Sequence, residues 1–90
     1  MLTLIKSLIG KEDKIKALSN AFYLYSKIFG IIKEDNFENI KLKDISLEGC
    51  LFYKVNLNNS VFQNVNITNC NFVYCSLENV KWENLIINNY

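Results

Sequence analysis

An apolar residue stands at every fifth position from Phe37 onward: Phe37, Leu42, Leu47, Phe52, Leu57, Phe62, Ile67, Phe72, Leu77, Trp82 and Ile87, without a polar exception. Neither regular element explains this period. A helix that buries one face needs apolar residues three and four apart, and a half-buried strand needs strict alternation. The positions two before these read Asp35, Ile40, Ile45, Cys50, Val55, Ser60, Val65, Cys70, Cys75, Val80 and Leu85, apolar in nine of eleven cases. The positions two after read Asn39, Asp44, Gly49, Lys54, Asn59, Asn64, Asn69, Tyr74, Asn79, Asn84 and Asn89, with asparagine in seven of eleven. Asparagine tolerates the left-handed backbone region and bonds its own main chain, so these positions are expected to be corners. Two inward positions and one corner in every five residues describe a polygon.

Stretches such as Val65-Asn66-Ile67-Thr68-Asn69, Cys70-Asn71-Phe72-Val73-Tyr74 and Cys75-Ser76-Leu77-Glu78-Asn79 resemble the pentapeptide-repeat family, whose pattern is a small residue, Asp or Asn, Leu or Phe, and two variable residues. The resemblance covers residues 35 to 89. It implies a mainly β fold, a right-handed quadrilateral β-helix in which four pentapeptides make one square coil. Eleven pentapeptides then give nearly three coils, stacked about 4.8 Å apart by backbone pairing. The chain departs from the family in having no alanine at the small inward position. The bulk of Ile40, Ile45 and Leu85 there is expected to distort the first and last coils.

Residues 1 to 34 follow a different rule. Ile15, Leu18, Phe22, Tyr25, Phe29 and Ile32 are spaced three and four apart, which is one face of a helix. Gly30 marks its expected end, and Gly10 separates it from a short apolar segment, Leu2 to Ile9. A solenoid must cover its first coil, so residues 1 to 34 are expected to form an amphipathic helical cap on a repeat unit of residues 35 to 90. The alternative is a helix for a membrane or a partner, favoured by lysines at 6, 11, 14, 16, 27 and 33.

Composition removes most chemistry. There is no histidine, the commonest general base and metal ligand, and no arginine, the usual reader of phosphates and guanine edges. The net charge of +1 offers no field to draw the chain onto nucleic acid. Cys50, Cys70 and Cys75 all occupy the inward small-residue phase and read as core fillers rather than nucleophiles or zinc ligands. The acids Asp35, Glu38, Asp44, Glu48, Glu78 and Glu83 fall mostly in outward or corner phases and form no converging pair. No catalytic residue, metal site or cofactor is expected. No cleavage site follows Met1 to Ile9, and the odd number of cysteines lacks a disulfide framework, so a cytoplasmic location is expected.

The expected function is therefore a non-catalytic protein-binding module, a small inhibitor or adaptor such as a phage or plasmid carries against a host enzyme. Some members of the resembled family mimic duplex DNA and bind gyrase, which implies an alternative. That use needs an acidic rod, whereas residues 35 to 90 carry six acids against four lysines on an asparagine-rich surface. A structural or membrane-associated module is the further alternative. Outward phases that are apolar gather on one side of the square: Leu51, Tyr53, Val73 and Tyr74, with Lys54 beside them, are the expected partner-binding residues. Leu85, Ile86 and Tyr90 end the repeat with no helix to follow and are the expected contact of a homodimer.

Overall fold

Residues 1–88 are described by a computed structural model; Asn89 and Tyr90 lie outside the described residues. Glu34, Asn39, Asp44, Gly49, Lys54, Asn59, Asn64, Asn69, Tyr74, Asn79 and Asn84 all have positive φ, between 51° and 79°. One left-handed residue in five turns the chain through a corner, and four corners close a square. Such a backbone costs an ordinary L-residue about 1–2 kcal/mol, a penalty that glycine lacks and asparagine largely escapes.

The four sides of each coil alternate in kind. Two are three-residue parallel strands: β1 (Ile31–Lys33), β3 (Leu51–Tyr53) and β5 (Asn71–Val73) stack in one sheet, and β2 (Lys41–Lys43), β4 (Val61–Gln63) and β6 (Lys81–Glu83) in the other. The register is twenty residues throughout, Ile32 pairing with Phe52 and Phe52 with Phe72, Leu42 with Phe62 and Phe62 with Trp82. The other two sides are joined by single bridges, Asn36 to Asn56 to Ser76 and Ser46 to Asn66 to Ile86. There a side chain bonds the main chain two residues on. Asn36 Oδ1 accepts from the Glu38 N–H at 3.0 Å, Asn56 Oδ1 from Asn58 at 2.9 Å and Asn66 Oδ1 from Thr68 at 2.9 Å. These sides end in turns, such as that closed by the Ile40 N–H on the Phe37 carbonyl at 3.2 Å, with positive φ at the third residue as a type II turn requires.

Inside, the every-fifth residues stack in ladders. Phe52 lies parallel to Phe72 at 4.7 Å between centroids, and Phe62 meets Trp82 edge-on at 4.9 Å. The small inward position has a second task. The Ser60 hydroxyl and the Cys70 and Cys75 thiols donate to the carbonyls of Phe37, Leu47 and Phe52, each twenty-three residues back in the coil below, at 3.5, 2.9 and 3.4 Å. Serine and cysteine thus replace alanine while tying adjacent coils together.

The first coil starts at Ile31, four residues earlier than the expected boundary at Asp35, because β1 already pairs with β3. Ile32 accordingly belongs to a strand and not to the helix face. Its position satisfies both periods, three after Phe29 and five before Phe37, and the left-handed Gly30 (φ 69°) decides between them by ending the helix.

The N-terminal cap consists of α1 (Leu2–Leu8), a 3₁₀ turn (Glu12–Lys14) and α2 (Ile15–Phe29). Leu18 and Phe22 of α2 and Ile5 of α1 are fully buried. Phe22 enters the mouth of the coil, stacking on Phe52 at 6.3 Å and meeting Phe37 edge-on at 5.5 Å. The Ser19 hydroxyl accepts the Lys43 N–H at 2.9 Å, and Lys6 pairs with Asp35 and Lys41 with Glu12 across the joint. Phe22→Ala would uncover the first ring of the ladder. We expect a loss of about 3–5 kcal/mol of unfolding free energy in urea titration, enough to unfold much of so small a domain.

Candidate interaction surface

The reactive groups of this chain are sequestered or dispersed. Burial pushes the Cys50 thiol up to about 12, and neighbouring Cys70 adds to the rise while Lys27 opposes it. Burial also raises Cys70, against opposing bonds from the Cys50 and Gly49 main chain. Burial thus disfavours the nucleophilic thiolate at both positions. Among the described residues no three His, Cys, Asp or Glu side chains gather as metal ligands. A groove of about 370 Å³ between the start of α2 and the face of β2 and β4 is lined by Glu12, Asp13, Lys16, Lys41 and Lys43, where Lys41 is already paired with Glu12. It contains no nucleophile with an adjacent base.

The aromatic face is built by the sheet of β1, β3 and β5. Leu51 and Tyr53 project outward from β3 and Val73 from β5, with Lys54 and Tyr74 on the corner that follows. The Tyr53 and Tyr74 rings meet at 6.1 Å with planes at 68°, and the Lys54 ammonium lies 5.3 Å from the Tyr53 centroid. All five expected residues are therefore brought together. The cap leaves this side open, since α2 lies across the coil mouth and Tyr74 is 80% exposed. Lys33, in register with Tyr53, and Glu34 on the same corner column complete the surface. Both were missed by placing the repeat start at Asp35, although the period of five runs back to Ile32.

The corners set this edge apart. Two columns of corners follow strands: Asp44, Asn64 and Asn84 on one, and Glu34, Lys54 and Tyr74 on the other. Their φ values are alike, 58°, 56° and 52° against 51°, 54° and 54°. The first column uses the residues that tolerate this backbone, and the Nδ2 of Asn64 donates to Asp44 Oδ1 at 2.8 Å. The second uses three residues that do not. Strain that the sequence could relieve with asparagine is retained at one edge, the edge that carries the tyrosines.

The last coil ends differently from the first. Leu77, Trp82 and Ile87 occupy core positions yet are 37%, 36% and 56% exposed, whereas Leu57 and Phe62 one coil below are fully buried. Leu85 and Ile86 are exposed at the same end, with Ile86 bridging Asn66. Tyr90, the third expected contact, lies outside the described residues. No helix of the described residues is long and apolar enough to cross a membrane.

A family model described as pentapeptide repeats, in eight copies, matches residues 36–69 and 45–81, which together span 46 of the 90 residues. No curated protein and no solved structure matches the chain significantly.

The strained column gives a stability test. Lys54→Asn would relieve about 1–2 kcal/mol of backbone cost and forfeit a surface cation–π contact of about 0.5–1 kcal/mol. A net stabilisation of about 0.5–1 kcal/mol is expected in thermal or urea unfolding, while the same substitution at exposed Lys33, outside any corner, is expected to be neutral.

Proposed function

The chain belongs to the pentapeptide-repeat family, and we propose that it is a small inhibitor or adaptor that grips a partner protein along the Glu34–Lys54–Tyr74 corner and the adjoining Leu51, Tyr53 and Val73. Proteins of this family commonly mediate protein interactions on a scaffold that is typically non-catalytic. The observation that carries the reading is the column of three strained corners beside two touching tyrosines. A chain selected for stability alone would place asparagine or aspartate there, as on the matching column of Asp44, Asn64 and Asn84. Tyrosine supplies area and a hydrogen bond together, and lysine held against its ring adds a charge at fixed position, which is the composition of an interface centre.

Duplex mimicry is less well supported, because a DNA mimic presents regularly spaced negative charge. Here one corner column alternates acid, lysine and tyrosine, and the other polar columns are mainly asparagine. We further propose that the open coil end associates with a second copy, since a two-fold contact would cover Trp82, Leu85 and Ile87 together.

Affinity capture from the native host, comparing the natural chain with the Tyr53→Ser, Tyr74→Ser double variant, tests the main reading. A partner retained by the first and lost by the second, with binding insensitive to salt and duplex DNA and melting unchanged within about 2 °C, is expected. Equal capture by both would overturn it, and competition by duplex DNA would favour mimicry. For the coil end, light scattering at micromolar concentration is expected to give the dimer mass for the natural chain and the monomer mass for Ile87→Asp. A monomer in both cases removes the self-association.

A further inference from the structure

We draw no further inference here: the strongest candidate, the groove between the start of α2 and the outer face of β2 and β4, is a surface cleft whose rim carries charges of both signs, Lys16, Lys41 and Lys43 with Glu12 and Asp13, and nothing in the structure selects what covers it.

Discussion

Every coil of this protein closes because one residue in five accepts a left-handed backbone. The corner is what converts a chain with no helical and no strand periodicity into a stack with a fixed register of twenty. Once the register is set, each main-chain group on a side meets its counterpart in the next coil, and each inward side chain meets its own kind. Phe52 rests on Phe72, and the Cys70 thiol finds the Leu47 carbonyl below. Packing and hydrogen bonding are therefore consequences of the turns. The burden falls on local preference, which explains why so many corner positions are asparagine despite its poor fit to ordinary strands.

A stack built this way has two ends and no intrinsic means of finishing either. At the start, α2 supplies Phe22 as one more ring in the ladder and Ser19 as an acceptor for the Lys43 N–H, so the cap continues both the core and the backbone bonding of the coil. At the other end Leu77, Trp82 and Ile87 retain the inward pattern and are exposed, with no further coil above them among the described residues. The molecule is accordingly polar in the geometric sense. Nearest-neighbour stability of this type makes the first coil depend on the cap and the last on whatever covers it.

Much of this was legible in the sequence. The period of five, the two ring ladders, the corner phase and the grouping of Leu51, Tyr53, Val73 and Tyr74 follow from counting, because a rigid register turns sequence spacing directly into position. What was not legible is instructive. A period of ten lies inside the period of five: 36, 46, 56, 66 and 76 are Asn or Ser, with Ile86 the exception, whereas 31, 41, 51, 61 and 81 are Ile, Lys, Leu, Val and Lys, with Asn71 the exception. It distinguishes the bridged sides, where an amide or hydroxyl caps the turn, from the strand sides, where outward side chains are free to vary. Averaging over all pentapeptides hides it. Ile32 misled for a different reason, since it satisfies the helix and the coil spacing alike and only the conformation of Gly30 separates them.

That division into bridged and strand sides also bears on function. The bridged sides spend their polar side chains on their own main chain, Asn56 and Asn66 being engaged within the turn. Recognition is left to the strand sides and the corners that follow them. Of the two strand sides, the one formed by β2, β4 and β6 borders the cap and carries Lys41 and Lys43, with the corner column Asp44, Asn64 and Asn84 in tolerant residues. The other carries the tyrosines and the strained column. Two strand sides with the same backbone thus differ in how much local stability the sequence retains. The backbone does not account for the choice of residue, because φ is 58°, 56° and 52° on one column and 51°, 54° and 54° on the other. At the strained column the side chains make contacts of another kind, the Lys54 ammonium and the Tyr74 ring both lying against Tyr53 while Tyr74 stays largely exposed.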